Sequence, residues 1–330
     1  MDATTSRNPH RVDNRLPPPP PRDSGRMGTP ASALPTGWGS TPFTTRAAIQ
    51  RGVSVSRLRG ADLVTPVRGV RILRDAVTLE SRCHAFLKHR PRDVVFSHFT
   101  AALLFGAPLP GWAERDQRIH VTVRSPGRAP NSRGFAGHKL SDWRPASAKG
   151  LPVTDAAQTW MDLAPLLPPP ALVAVGDFLV TTPATGLDLQ ELRHRVATSK
   201  RRRGIATARR LVESIRVGPE SPQESRLRLL LLEHGLPEPV LQFEVRSASG
   251  AFLGRADLAY PRARLLLEYE GDVHRVDREV WLNDIGRRER LEDAGWRVLR
   301  VTATDLDAPS ELLDRTRRAL ARSVSSSRGA

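Results

Sequence analysis

The sequence predicts a mixed α/β (α+β) protein, and three observations lead to this prediction. Short runs of alternating apolar residues predict strands, for example at 118–123 and 240–245. Capping residues and glycines bound longer segments with helical apolar spacing. Between about 221 and 322 the two kinds of segment follow the order α-β-β-β-α-β-α. The length of 330 residues is enough for more than one domain.

Composition indicates the surroundings of the chain and the class of its partner. The formal net charge of +16 favours binding to polyanions such as nucleic acid, because binding releases their counterions. Only four of the 51 basic residues are lysines, so a GC-rich genome could account for part of this charge. One cysteine excludes a disulfide framework, and no signal peptide or apolar run of about 20 residues is present. We therefore expect a soluble cytoplasmic protein with no membrane contact and no small-molecule cofactor.

Changes in composition and periodicity divide the chain into six predicted segments. They are a disordered Pro/Arg-rich tail at 1–40, a winged-helix-like region at 41–75, a middle α/β region at 76–192, a basic linker helix at 193–217, a C-terminal α/β domain at 218–322 and a disordered tail at 323–330.

Two small helices followed by a hairpin predict a winged helix-turn-helix in region 41–75. Thr44 or Thr45 can cap the first helix, which Gly52 ends, and two short strands follow within 63–73. The alternative is a small α/β cap with solvated arginines. In the winged-helix interpretation, the DNA contacts come from Arg57, Arg59, Arg68 and Arg71.

The linker segment is strongly basic. Over 193–210 it carries eight Lys or Arg residues and no acid, which indicates either a phosphate-binding patch or a solvated helix face. The centre of this patch is Arg201, Arg202 and Arg203. In the middle region, His98 and His120 could be metal ligands, but no spacing pattern favours this over ordinary hydrogen-bonded histidines.

Three acids on two neighbouring strands give the strongest functional signal. The leucines at 265–267 indicate a buried strand, and Glu268 and Glu270 then point to one face of it. A short turn joins this strand to the one that carries Asp257, so a hairpin can bring Asp257 beside Glu268. Crowded carboxylates are costly unless a cation neutralises them, and oxygen ligands suit Mg²⁺ or Mn²⁺. The sequence predicts a metal site at these acids, or alternatively their pairing with nearby arginines.

A helix is predicted to begin at Ser221, because Pro222 suits its first position. Ser221 and Glu224 have the spacing of a capping box, in which each side chain accepts a hydrogen bond from the other's backbone N–H. This capping role explains Glu224 without any functional role.

Five short motifs lie along the C-terminal domain. They are Glu224-Ser225-x-x-Arg228, Gly254-Arg255-x-Asp257-Leu258, Glu268-Tyr269-Glu270-Gly271-x-x-His274, Asp284-x-x-Arg287-Arg288 and Gly295-Trp296-x-Val298-Leu299-Arg300. Together they resemble the DUF559 domain, which is related to the very-short-patch-repair (Vsr) endonucleases of the PD-(D/E)xK superfamily. The resemblance covers about residues 218–322.

This resemblance implies a restriction-endonuclease-like αβββαβ core and Mg²⁺-dependent cleavage of nucleic acid. It implies that Asp257 and Glu268 hold the metal, that Glu270 binds metal or orients water, and that Glu224 is a further ligand or an acid behind the ligands. It also implies that His274 protonates the leaving oxygen or positions water. The phosphate contacts of this domain would come from Arg255, Arg287 and Arg288.

The N-terminal half carries a looser set of motifs. They are Ala47-Ala48-x-x-x-Gly52, Arg68-Gly69-Val70, Ser97-His98-x-x-Ala101-Ala102, Ile119-His120-Val121-Thr122-Val123 and Thr154-x-x-x-Thr159-x-x-Asp162-Leu163-Ala164. This half resembles an AbiEi-type antitoxin region. The resemblance implies a DNA-binding winged helix in a toxin–antitoxin or phage-defence context.

These observations leave three functions open. The first is a Mg²⁺- or Mn²⁺-dependent endonuclease acting on double-stranded DNA in repair, restriction or phage defence, in which a homodimer could cut both strands. The second is a transcriptional regulator or antitoxin-like protein whose nuclease-like domain does not catalyse. The third is an RNA-binding protein that depends on basic charge alone.

Overall fold

The computed structural model describes residues 34–89, 93–132, 134–141, 144–200, 202–271 and 278–326. Within these ranges the chain is mixed α/β, with twelve α-helices and three β-sheets, which confirms the predicted fold class. No helix in these ranges combines the length and the apolar composition that crossing a membrane requires. Most of the tail predicted at 1–40, and the end of the tail predicted at 323–330, fall outside the described residues.

A small antiparallel sheet and one short helix form the N-terminal region. The strands are β1 (Phe43–Thr44), β2 (Leu63–Val64) and β3 (Val70–Leu73), in the order β1-β3-β2. Helix α1 (Thr45–Gln50) begins after Thr44, whose hydroxyl accepts a hydrogen bond from the N–H of Ala47 at 3.1 Å. The second predicted helix is a single 3-10 turn, Arg57–Arg59, which Gly60 ends.

A five-stranded sheet with helices packed on it forms the middle region. Its helices are α2 (Leu79–His89), α3 (His98–Phe105), α4 (Gly111–Glu114), α5 (Ala156–Leu163) and α6 (Pro169–Thr181). Its strands are β4 (Val94–Phe96), β5 (Ile119–Arg124), β6 (Phe135–Leu140), β7 (Pro145–Ala148) and β8 (Leu151–Thr154), in the order β6-β5-β4-β8-β7. Strand β5 runs antiparallel to β4 and parallel to β6. Side chains near the start of β5 and on β6 can therefore lie on the same face of the sheet.

The segment predicted as one basic linker helix at 193–217 differs in the structure. It contains the end of α7 (Leu189–Thr198) and all of α8 (Ile205–Leu211). Helix α7 ends at Thr198 because Ser199 adopts an extended conformation, and Gly204, with a φ of +79° that glycine adopts easily, then precedes α8. Apolar residues of both helices join the core beside α5 and α6, so the segment belongs to the middle region.

The C-terminal domain follows the predicted order of elements, with one extra short helix. The elements are α9 (Pro222–Glu233), β9 (Val240–Arg246), β10 (Phe252–Tyr260), β11 (Leu265–Tyr269), α10 (Arg278–Asp293), β12 (Arg297–Val301), α11 (Ala303–Asp307) and α12 (Ser310–Ser326). The sheet order is β12-β11-β10-β9, with β10 antiparallel to both neighbours and β11 parallel to β12. The three leucines at 265–267 are fully buried, as the sequence predicts.

A buried ion pair joins the middle region to the C-terminal domain. Asp177 of α6 accepts hydrogen bonds from the hydroxyl of Ser225 at 2.7 Å and from Nη2 of Arg228 at 3.2 Å, both on α9. It also accepts one from the N–H of Arg216 at 2.7 Å. Because these partners satisfy a carboxylate that has no contact with water, α6 and α9 are held in one relative position.

Candidate functional site

Asp257 and Glu268 occupy neighbouring strands of the C-terminal sheet. Leu258 on β10 pairs with Leu267 on β11, and the antiparallel register therefore sets Asp257 across from Glu268. Oδ2 of Asp257 accepts a hydrogen bond from the N–H of Tyr269 at 2.8 Å. The hairpin thus brings these two acids to adjacent positions of the sheet, and the backbone of β11 fixes the carboxylate of Asp257.

Arg287 of α10 lies against the same two strands. Its Nη2 is 2.7 Å from Oε2 of Glu268, and its Nη1 donates a hydrogen bond to the carbonyl of Arg255 at 3.1 Å. Gly254 lies beside this side chain, and a Cβ added there would be in van der Waals contact with Cδ of Arg287 at 3.4 Å. A metal ion at Glu268 would therefore share the carboxylate with this guanidinium or displace it.

Glu224 reaches toward this region from the first turn of α9. The hydroxyl of Ser221 accepts a hydrogen bond from the N–H of Glu224 at 3.2 Å, which is one half of the expected capping box. The carboxylate of Glu224 instead accepts hydrogen bonds from the N–H of Glu220 at 2.9 Å and from Nε2 of Gln242 at 2.7 Å. Glu224 is consequently tied to strand β9 as well as to its own helix.

Electrostatic coupling connects Glu224, Asp257 and Glu268. Burial raises the pKa of Asp257; the hydrogen bond from Tyr269 opposes this rise, and the charge of Glu268 adds to it. Burial also raises the pKa of Glu224, against the hydrogen bond from Glu220, and the charge of Asp257 contributes to this rise. Burial thus disfavours negative charge on Asp257 and Glu224, and a nearby cation would stabilise that charge.

Glu270 lies just beyond the end of β11. Its N–H donates to the carbonyl of Val301 at 2.8 Å, and its Oε1 is 3.3 Å from Nη1 of Arg300 on β12. Within the described ranges, no three acids bring one oxygen each within 4.8 Å of one another. An ion shared by all the predicted acids would require Glu268 and Glu270 to turn from their arginines.

The arginines predicted to bind nucleic acid differ in their surroundings. Five are exposed: Arg59, Arg68, Arg203, Arg255 and Arg288. Arg57 donates to both carboxylate oxygens of Asp62, at 2.8 and 2.6 Å, and Arg202 binds Asp162. Arg71 donates to backbone carbonyls within its own region. Two predicted residues lie outside the described part of the chain: His274 and Arg201.

A group of three histidines lies in the middle region; the sequence pointed to His98 and His120 as possible ligands but not to His138 or to their proximity. The parallel register of β5 and β6 pairs Thr122 with His138, and His120 lies two residues before Thr122, so both histidines share a face. His98 begins α3, separated from the end of β4 only by Ser97, and completes the group. Among the described residues, these are the three metal-ligand side chains with ligand atoms all within 4.8 Å of one another.

The three imidazoles are packed closely, and all three have lowered pKa values. Nδ1 of His120 is 3.0 Å from Nε2 of His138, and the rings of His98 and His138 are stacked with centroids 3.5 Å apart. Burial lowers the pKa of His98 to about 2 and of His138 to about 4, and it also lowers the pKa of His120. Neutral imidazoles are the form that binds metal ions.

Two proteins of Mycobacterium tuberculosis are similar in sequence to this chain. They are the uncharacterized protein MT2308 of strain CDC 1551 / Oshkosh and the uncharacterized protein Rv2248 of strain ATCC 25618 / H37Rv. Each is 29% identical over 210 residues, which cover 63% of this chain and 76% of the relative. No family profile matches the chain, and no solved structure matches it. The names of these relatives state no activity.

Proposed function

We propose that the protein is a metal-dependent endonuclease that hydrolyses phosphodiester bonds in DNA. The observation that carries this proposal is the position of Asp257 across from Glu268 on paired strands, with Glu224 coupled to Asp257 through its charge. The αβββαβ order of the domain and its five DUF559-like motifs support a restriction-endonuclease-like core. The one cysteine and the proposed substrate both fit a cytoplasmic protein.

The donor set fits a hard divalent cation. Carboxylate oxygens are the usual protein ligands of Mg²⁺ and Mn²⁺, and burial makes the charge of Asp257 costly without a cation. Asp257 and Glu268 would hold the ion, and Glu270 would supply a further oxygen or orient water. Such an ion polarises a phosphate and lowers the pKa of bound water.

Basic side chains of the chain would bind and orient the DNA. Arg287 contacts Glu268, and its planar guanidinium suits a phosphate once Glu268 turns toward a cation. Arg255 and Arg288 are exposed on the same domain. The AbiEi-like resemblance suggests that the N-terminal region holds the duplex, with Arg59 and Arg68 as exposed contacts. The net charge of +16 would strengthen all these contacts at low salt.

One observation favours a second function. Glu268 is paired with Arg287 and Glu270 with Arg300, so guanidinium groups compensate two of the acids without any metal. A domain of this kind would be a non-catalytic scaffold in a DNA-binding regulator or antitoxin-like protein. That function predicts salt-sensitive binding to the protein's own promoter and no dependence on divalent ions.

Cleavage of supercoiled plasmid by the full chain separates the two functions. The nuclease proposal expects nicked or linear product with Mg²⁺ or Mn²⁺, and a rate at least about 100-fold lower for Asp257→Asn. Glu244→Gln is the matched control, because Glu244 is an exposed acid on β9 of the same sheet. If wild type and Asp257→Asn are equally inert on plasmid, linear duplex and single strands, and promoter binding needs no metal, the regulator is the better account.

A further inference from the structure

We propose that His98, His120 and His138 bind one divalent transition-metal ion, with Zn²⁺ preferred, at a second site in the middle region. Imidazole nitrogen is a common ligand of Zn²⁺, and three histidines leave a fourth position for water or another ligand. The site is built on the five-stranded sheet and is separate from the acids of the C-terminal domain. It does not depend on the proposed nuclease function.

The spacing of two of the nitrogens supports this assignment. Nδ1 of His120 and Nε2 of His138 are 3.0 Å apart. Two nitrogens on one tetrahedral zinc, each at about 2.0–2.1 Å, would stand about 3.3 Å apart. Because β5 and β6 are paired along their whole lengths, the backbone already holds this pair of ligands near the required separation.

A carboxylate behind His120 sets which nitrogen of that ring is available. Oδ2 of Asp116 is 3.4 Å from Nε2 of His120, and Arg118 holds the carboxylate of Asp116 at 2.7 Å. A proton on Nε2 would be donated to Asp116, which leaves the lone pair of Nδ1 directed at His138. Carboxylates in this position orient metal-binding histidines and make them better ligands.

A second carboxylate stands behind His98. Asp162 is almost fully buried, and its Oδ1 accepts a hydrogen bond from Gln158 at 2.7 Å. Its Oδ2 has no hydrogen-bond partner among the described residues and lies 3.7 Å from Nδ1 of His98. Nδ1 also lies 2.9 Å from the hydroxyl of Ser97. If Nε2 of His98 binds the ion, Nδ1 keeps its proton, and a small shift of the ring would let Nδ1 donate to Asp162 and satisfy this buried oxygen.

His98 is the ligand that has to move. Its ring is stacked on that of His138 at an angle of 15°. The lone pairs of two nearly parallel rings do not converge on one point, so the ring of His98 must tilt before both histidines can bind the same ion. The backbone of His98 has a φ of +52°, a costly conformation for a residue other than glycine. The fold maintains this conformation at the start of α3, where it keeps the ring beside the two strands.

Metal content of the full chain tests the proposal. The protein is stripped with a chelator, equilibrated with Zn²⁺, freed of unbound ion and analysed for metal per chain. We expect about one zinc in wild type and in His84→Gln, which removes an exposed histidine of α2. We expect His120→Gln and His138→Gln to lose it. With Co²⁺, wild type should show the visible absorption of a tetrahedral site, and these two variants should not.

Two further variants keep the test decisive if a histidine variant fails to fold. Asp116→Asn preserves all three imidazoles, and we expect it to weaken zinc binding about 10- to 100-fold. Asp257→Asn should leave the histidine-dependent zinc in place, which separates this site from the proposed nuclease site. Three outcomes would overturn the proposal: no zinc retained by wild type at micromolar free Zn²⁺, full retention by folded His138→Gln, or unchanged affinity in Asp116→Asn.

Discussion

Burial has opposite effects on two clusters of side chains. One is the carboxylate group of the C-terminal sheet, which consists of Glu224, Asp257 and Glu268, and the other is the histidine group of the middle sheet. Burial raises the pKa of Asp257 and Glu224, and Arg287 supplies positive charge beside Glu268. Burial lowers the pKa of the three histidines. An ion at the acids would have to compete with Arg287 for Glu268, whereas the lowered pKa values leave the histidine nitrogens available to an ion.

Removing the charge of Glu268 should have the largest effect. We expect Glu268→Gln to lower the cleavage rate about 100- to 1000-fold and to raise the Mn²⁺ concentration needed for half-maximal rate, because an amide is a weaker ligand for a hard cation. Initial rates over a Mn²⁺ titration measure both effects. Glu244→Gln should match wild type, and a Glu268→Gln enzyme with the wild-type titration curve would remove Glu268 from the metal site.

The connection between the two regions can be broken at Asp177. Asp177→Ala leaves Arg228 buried without its main partner, so we expect a loss of about 3–5 kcal/mol in the free energy of unfolding. Urea denaturation followed by circular dichroism measures it. Glu213→Ala removes an exposed partner of Arg193 and should cost less than about 1 kcal/mol. Similar costs for the two variants would show that the buried pair does not hold the regions together.

Neutralising Asp257 should stabilise the metal-free protein. The pKa of Asp257 is higher in the folded chain than in the unfolded chain, so its contribution to stability falls as pH rises through the folded pKa. Asp257→Asn removes that cost and keeps an oxygen for the N–H of Tyr269. In EDTA at neutral pH we expect a higher thermal midpoint for the variant and a smaller decrease between pH 4 and 7. A lower midpoint would contradict the unfavourable burial of this charge.

The smallest effect is expected at Cys83, in the same region as the histidine group. The thiol is fully buried, and burial raises its pKa to about 12. We expect no reaction with a disulfide reagent at pH 8 in the native protein, and one thiol per chain after denaturation. We also expect Cys83→Ala to bind zinc like wild type. Rapid native reaction would mean that this core opens easily, and weaker zinc binding would implicate sulfur in the site.

The sequence predicted the C-terminal domain better than the middle region, for physical reasons. Its acids lie close together along the chain, on strands joined by a short turn, so period-two geometry alone relates Asp257 to Glu268. The partners of the acids come from elements far along the chain: Arg287 on α10, and Gln242 on β9 in place of a complete capping box. No local pattern specifies such contacts.

The sequence did not predict that the three histidines lie together. His98, His120 and His138 come from three separate elements, and only the register of β5 with β6 brings two of them together. His120 lies in an alternating run that predicts a strand, but the run around His138 contains Gly137 and Lys139 and gives a weak strand signal. Recognising β6 as a parallel neighbour of β5 would have revealed the pair.

Direct binding of Mn²⁺ to the full chain tests the central claim that the carboxylate group binds a hard cation. The free-ion signal in electron paramagnetic resonance gives the bound fraction, with no more than one equivalent of Zn²⁺ per chain present to fill the histidine group. We expect about one Mn²⁺ site in wild type and in Glu244→Gln, and its loss in Asp257→Asn. Equal Mn²⁺ binding by wild type and Asp257→Asn, or no binding by either, would contradict the claim.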